Sequence, residues 1–242
     1  MKSNVIFDVE VAPNKSMVGF KDLTTNKVTQ FQRKESKKIA AFIKGKTLIG
    51  FNSNGYDNIM LLLMLEGASA KEIYTASFDL IEGDADHWDY PHKLPGSIDI
   101  MEVAKGTGGL KLYGTRLDTK TVQDLPYDPH TKHTKKMWKN VCKYNKVDLN
   151  VTQELFEFLA PQLKLREQLG LKYGLNLLSR SDAQVAEDLF RKLLSIDVRK
   201  AKRSVTPVSA IRYKAPKGVT FRPELVNKIE HEIIGIDAGG SP

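Results

Sequence analysis

Val5-Ile6-Phe7-Asp8-Val9-Glu10 is a short apolar run that carries two carboxylates. Its β-branched and aromatic residues predict a buried strand. Side chains alternate along a strand, so Val5, Phe7 and Val9 face one way and Ile6, Asp8 and Glu10 the other. Two acids side by side on one face of a buried strand repel each other, and burying each costs several kcal/mol unless something neutralises it. A divalent cation does so. Mg²⁺ and Mn²⁺ take hard carboxylate oxygens and keep positions for water and phosphate. The expectation is that Asp8 and Glu10 begin a metal site. The alternative is a strand end whose acids sit in solvent, and an Asp-x-Glu alone does not choose between them.

Downstream, Met17 to Leu23 and Lys27 to Gln32 flank Thr24-Thr25-Asn26 and predict a hairpin, giving three consecutive antiparallel strands. Ser36 to Lys44 predicts an amphipathic helix with Ile39, Ala40 and Ile43 inward, ended by Gly45. Thr47 to Phe51 predicts another buried strand. It runs through the Asn/Gly-rich turn Asn52-Ser53-Asn54-Gly55 into an apolar helix reaching Leu65. Asp57 falls in the first turn of that helix, where an acid is favoured by the helix dipole by about 0.3–1 kcal/mol. That role alone accounts for it at this point. A helix over Ala70 to Phe78 follows, then a ligand-rich loop over 82–95, which reads as solvated charge because it lacks regular ligand spacing. Ser97 to Val103 predicts a strand. Tyr127 to His133 reads as a loop whose His130 and His133 carry little weight as a metal pair.

Thr134 to Leu159 is the longest helical signal. Met137, Val141, Tyr144, Val147, Asp148, Val151 and Leu155 recur at spacings of three and four. Asp148 is the one acid on this apolar stripe, with Tyr144 one turn before it on the same side. A buried Tyr–Asp hydrogen bond is the structural alternative to a catalytic role. Beyond the Ala160-Pro161 break, Gln162 to Gly170 predicts helix, and Ser181-Asp182-Ala183-Gln184 opens another with a capping box, running to about Ile196. Residues 199–219 lose periodicity, and Pro223 to Ile234 predicts a short final helix.

The chain has 242 residues, enough for one large domain or a domain with an appendage. Its single cysteine, Cys142, excludes an internal disulfide and a zinc cluster among cysteines. The longest apolar run, Ile59 to Leu65, is far short of the ~20 residues that span a bilayer. Met1-Lys2-Ser3-Asn4 leads straight into a strand, so no secretion signal and no membrane partner are expected, and a cytoplasmic setting is. Lys and Arg number 37 against 29 Asp and Glu, a net charge of +8 that attracts a polyanion or serves ordinary solubility. The lysines gather around Lys132, Lys135, Lys136, Lys139, Lys143 and Lys146, and basic residues again over Arg199 to Arg203.

The element order predicts an α/β, ribonuclease-H-like mixed sheet flanked by helices, with a helical C-terminal extension. Within it Asp8, Glu10, Asp57 and Asp148 are expected to share one cleft. The segments that bring these acids resemble the motifs of 3′–5′ exonucleases with four acidic residues, in the subclass whose last motif carries tyrosine. Asp8-Val9-Glu10 is similar to the first motif, Asn52 to Asp57 to the second (Asn-x-x-x-Phe/Tyr-Asp), and Tyr144 to Asp148 to the third (Tyr-x-x-x-Asp). The spacing of the second is closer to proofreading domains of family B DNA polymerases, and the resemblance covers residues 4–160. Polymerase palm, fingers and thumb have no room here. An isolated exonuclease domain, a truncated piece, and a stand-alone phage-type or replicon-encoded protein all fit, the last placing it in host cytoplasm.

The resemblance implies hydrolysis of phosphodiesters at the 3′ end of single-stranded DNA with two divalent cations, Mg²⁺ or Mn²⁺. By the family pattern Asp8 bridges both ions, Glu10 and Asp148 hold the ion that carries the water, and Asp57 serves the second. Tyr144 orients the water. Asn52 contacts the terminal nucleotide or its backbone, Phe51 and Tyr56 stack bases or pack in the core, and Lys143, with other lysines of the late helix and the loop before it, either holds phosphate or forms a solvated face. Implied partners are the DNA end and a polymerase or other replication protein. Three rival readings stay open: a non-cutting exonuclease-like binding module, an RNA 3′-end nuclease of the same fold, and a docking role for the segment after residue 160. The expected division is an exonuclease domain over 1–160, a helical extension over 161–204, and a basic arm over 205–242.

Overall fold

The acid-bearing run is the central strand of the sheet. In the computed structural model, which describes residues 4–92, 94–106 and 108–195, β1 (Asn4–Ala12) pairs antiparallel with β2 (Lys15–Asp22) and parallel with β4 (Thr47–Gly50). β3 (Val28–Gln32) extends one side antiparallel to β2, and β5 (Ser97–Asp99) extends the other parallel to β4. The order is β3-β2-β1-β4-β5, a five-stranded mixed sheet. The α/β class expected from the sequence holds.

Alternation along β1 divides the core. Val5, Phe7 and Val9 enter a cluster with Ile39, Ile59, Met60 and Ile73, contributed by α1 (Ser36–Ile43), α2 (Asp57–Glu66) and α3 (Ala70–Glu82). Ile6 enters the opposite cluster with Ile49, Tyr113 of α4 (Leu110–Arg116), and Leu149 and Leu155 of α5 (Lys135–Phe158). β1 is therefore sealed on both faces. Full burial of each large apolar side chain stabilises by about 1.5–3 kcal/mol, which offsets the acids carried by the same strand. α6 (Ala160–Tyr173) joins the second cluster through Leu163. The buried Arg166 guanidinium of α6 donates to the Arg180 carbonyl (2.8 Å) and to Asp182 Oδ1 (2.7 Å) at the start of α7 (Asp182–Leu193). The predicted capping box forms there: Gln184 N–H donates to Ser181 Oγ (3.3 Å) and Ser181 N–H to Gln184 Oε1 (3.0 Å). Residues through Leu193 form one compact unit.

Four local expectations are corrected. Ala40 is exposed, and Phe42 takes the inward place, tilted against Phe20 and edge-on to Phe31; a bulky ring at i+3 from Ile39 covers more of the sheet than a methyl group. α3 runs to Glu82 rather than Phe78, ended by Gly83 at φ 84°, since Leu80 continues its apolar stripe. The loop over 82–95 holds a short 3₁₀ turn, His87–Asp89, capped by Asp86. β5 stops at Asp99 instead of Val103 because the Asp99 carboxylate takes the Met101 N–H (3.0 Å) and bends the chain. The basic stretch 199–219, the helix over Pro223 to Ile234 and the arm over 205–242 lie outside the described residues. No helix among the described residues is long and apolar enough to cross a membrane.

Candidate metal centre in an acidic cleft

Asp8 and Glu10 project from the α5 side of β1, where Tyr144 and Asp148 come down from α5. Oxygens of Asp8, Glu10 and Asp148 lie within 4.8 Å of one another. Asp57, at the first position of α2, approaches from the other side and accepts the Val9 N–H through Oδ1 at 2.9 Å. Its position at the helix start thus ties α2 to β1 as well as serving the dipole. All four acids and Tyr144 line one cavity of about 530 Å³.

The turn before Asp57 is held by a further acid. Asp99 is buried, and its Oδ2 accepts the Asn54 N–H (2.9 Å) while its own N–H donates to Ser179 Oγ (2.9 Å). Asn52 sits in this turn at φ 56°, a left-handed conformation that asparagine tolerates. Asn52, Phe51 and Tyr56 line the cavity as well. The two aromatics also pack: Phe51 meets Tyr113 edge-on at 5.7 Å, and the Tyr56 hydroxyl lies 2.6 Å from that of Ser77. Lys143 is exposed on α5 and does not line the cavity. Side chains one residue apart on a helix point about 100° apart, so Lys143 cannot share the direction of Tyr144. His130 and His133 form no pair; His130 Nδ1 lies 3.2 Å from the Tyr74 hydroxyl and His133 Nε2 3.2 Å from the Asp128 carbonyl.

Two residues of the site escape sequence reasoning. Asn145 is fully buried and donates from Nδ2 to Asp8 Oδ2 at 2.7 Å, while its Oδ1 accepts Gln30 Nε2 at 2.9 Å. Its space exists because Gly19 stands opposite Asp8 in the β1–β2 register; a Cβ there would lie 1.9 Å from Asn145 Oδ1. The available signal is spacing: Asn145 is four residues from both Val141 and Leu149, on the buried face. Lys111 of α4 lies 5.9 Å over the Tyr144 ring and counteracts the charge of Asp148. Nothing in its local sequence marks it.

Electrostatics follow from this crowding. Burial is the largest cause of raised proton affinity at every acid of the cluster. For Asp8 it is joined by the charges of Glu10, Asp57 and Asp148, and for Glu10 by that of Asp148, so both carboxyls stand well above the usual range. Burial pushes Asp57 up to about 7. Asp148 rises only to about 6 because the Tyr144 hydrogen bond and Lys111 oppose its burial. Burial and the neighbouring Asp148 carboxylate push the Tyr144 phenol up, so it stays protonated at neutral pH.

Asp8, Glu10 and Asp148 can hold a metal ion. The donors are hard oxygens, as Mg²⁺ and Mn²⁺ prefer. Glu10 Oε1 is buried with no hydrogen-bond partner, and among the described residues no lysine or arginine forms an ion pair with any of the four acids. A cation supplies what these groups lack. Asn145 occupies one oxygen of Asp8 and turns the other to the cluster. Asn145→Ala is expected to lower Mn²⁺ affinity about 10–100-fold, the usual scale for a partner behind a metal ligand. Titration of free Mn²⁺ by electron paramagnetic resonance reads this, and unchanged affinity would show that Asp8 needs no such support.

The fold and cleft define an α/β protein with a buried carboxylate cluster suited to a divalent cation. No protein-family description matches this chain, and no curated protein matches it.

Proposed function

We propose that this protein is a metal-dependent 3′–5′ exonuclease of ribonuclease-H-like fold that acts on the 3′ ends of single-stranded DNA. The observation that carries the reading is convergence: Asp8, Glu10, Asp57, Tyr144 and Asp148, from three segments far apart in sequence, line one cavity. Each short motif alone is weak, and unrelated motifs have no reason to meet. The strand order, with three antiparallel strands and two parallel additions, supports the fold assignment. The resemblance to family B proofreading domains supports DNA over RNA and a place in replication or repair beside a polymerase or other replication protein.

Asp8, Glu10 and Asp148 would hold the metal, and Asp57 would contribute its second oxygen to a neighbouring ion. Bound divalent ions supply acidification of water and charge stabilisation of the leaving 3′ oxygen. The chain's own groups do the rest. Tyr144 stays protonated and donates its one hydroxyl hydrogen to Asp148, and its oxygen would accept a hydrogen bond from the attacking water and orient it. Asn52 presents its amide to the terminal nucleotide from the turn that Asp99 holds. Phe51 gives the base an apolar wall.

The test is a 5′-labelled single-stranded oligonucleotide incubated with Mg²⁺, with Mn²⁺ and with EDTA. A ladder of products shortened from the 3′ end, absent in EDTA, is the expected result; internal cuts or no cuts in any metal would overturn the reading. The same experiment on RNA decides the sugar. Tyr144→Phe is expected to slow cleavage about 10–100-fold in kcat with little change in KM. A hydrogen bond to a charged or reacting group is worth about 1.5–3 kcal/mol, and about 1.4 kcal/mol is tenfold in rate. An unaffected kcat would remove Tyr144 from the chemistry.

A further inference from the structure

The ends of α5 carry charges against its own dipole, Lys135 and Lys136 in the first turn and Glu157 in the last. Lys135, Lys136, Lys139, Lys143 and Lys146 are all exposed in its N-terminal half, and Glu154 and Glu157 stand in its C-terminal half. A helix N-terminus is the positive pole and disfavours cations; its C-terminus disfavours acids. The lysines also repel one another at spacings of three and four, as Lys135 with Lys139, Lys139 with Lys143, and Lys143 with Lys146. Among the described residues none of the five has an ion-pair partner. Among the described lysines only Lys38, with Glu35, and Lys111, with Asp124, form ion pairs. A local rule broken this consistently marks a surface shaped for something other than stability.

At about 100° per residue the five fall in one sector of the helix, turned away from the buried Val141, Asn145 and Thr152. From Lys136 to Lys146 the stripe runs about 15 Å along the axis, long enough for more than one phosphate of a single strand. The stripe and the cleft share one helix: Tyr144 and Asp148 line the cavity, and Tyr144 lies about 100° around the axis from Lys143. We infer that this stripe is a second nucleic-acid site outside the cleft, which takes the phosphates of a single strand 5′ of the terminus held among the acids. The inference deepens, and rests on, the exonuclease reading. It moves Lys143 from the catalytic cavity to a tracking surface.

The experiment measures binding of labelled oligothymidylates of 4 and 20 nucleotides in EDTA, by fluorescence anisotropy over a range of salt, for wild type and K136A/K139A/K143A/K146A. Wild type is expected to bind the 20-mer at least ~10-fold tighter than the 4-mer. The variant is expected to lose that difference and about 2–3 units of the salt slope, from roughly 0.7 per phosphate contact on a single strand. Its thermal midpoint should stay level or rise, since like-charge repulsion is relieved. An undiminished length preference and salt slope in the variant would overturn the site, as would tighter binding of a 20-base-pair duplex than of the single strand. Hydrolysis of the 4-mer in Mn²⁺ by wild type keeps the two readings apart. Cleavage without a length preference ends the stripe and leaves the nuclease. A length preference lost in the variant, without cleavage by wild type, ends the nuclease and leaves the stripe.

Discussion

Asp8→Ala is expected to reduce metal-dependent cleavage by roughly a thousandfold or more while the protein stays folded. Asp8 stands at the centre of the cluster: its oxygens lie within reach of Glu10 and Asp148, and it feels the charge of Asp57 as well. In the proposed reaction its removal would take away a metal ligand and with it several kcal/mol of transition-state charge stabilisation, at about 1.4 kcal/mol per tenfold in rate. The fold should not suffer. The lost side chain is a buried carboxylate repelled by three others, and its one donor, Asn145 Nδ2, keeps a contact with the Asp8 carbonyl at 3.3 Å. The measurement is single-turnover cleavage of a labelled oligonucleotide, with circular dichroism as the check on folding. Cleavage within tenfold of wild type, in a folded variant, would remove the cluster from the reaction.

The second large effect is on stability. In the folded protein Asp8 and Glu10 keep protons well above the usual carboxylate range, Asp148 to about 6 and Asp57 to about 7. In the unfolded chain they titrate near 4. Between about pH 4 and pH 7 the folded state binds more protons, so without metal its stability falls as pH rises. The contributions of Asp148 and Asp57 are complete below about pH 4 and gone above about pH 7, and those of Asp8 and Glu10 fall in the same direction. A metal ion binds the deprotonated form, so its stabilisation grows across the same window. In EDTA the thermal midpoint should drop from pH 5 to pH 8, by on the order of 10 °C at about 2–4 °C per kcal/mol. Saturating Mn²⁺ should cancel the drop at pH 8 and do little at pH 5. A flat profile in EDTA, or an equal Mn²⁺ effect at both pH values, would show that the acids are not crowded as described.

How much of this was legible depended on whether the signal was local. The Asp8/Glu10 alternation, the helix start at Asp57 and the i, i+4 pair Tyr144/Asp148 are each written in a few neighbouring residues, and the structure puts them where periodicity predicts. Ala40 and Phe42 both lie near the inward face of α1, and only the facing sheet chooses between them. The extent of β5 was overread because the Asp99 side chain competes with the ladder for backbone hydrogen bonds. Lys143 shares the late helix with Tyr144 and Asp148 but not their face, because neighbours on a helix diverge by about 100°.

By itself the sequence determined that Val5 to Glu10 is a buried strand, the order of elements and the acids they carry, because strand and helix periods are properties of local chain geometry. Only the tertiary structure decided what surrounds those acids. Asn145 reaches Asp8 because Gly19, on another strand, leaves the space. Asp99 holds the Asn52 turn while Ser179 holds Asp99. Lys111 approaches Tyr144 from a separate helix. Each depends on residues far apart in the chain meeting at close range, and a contact of that kind leaves no periodic trace in the sequence.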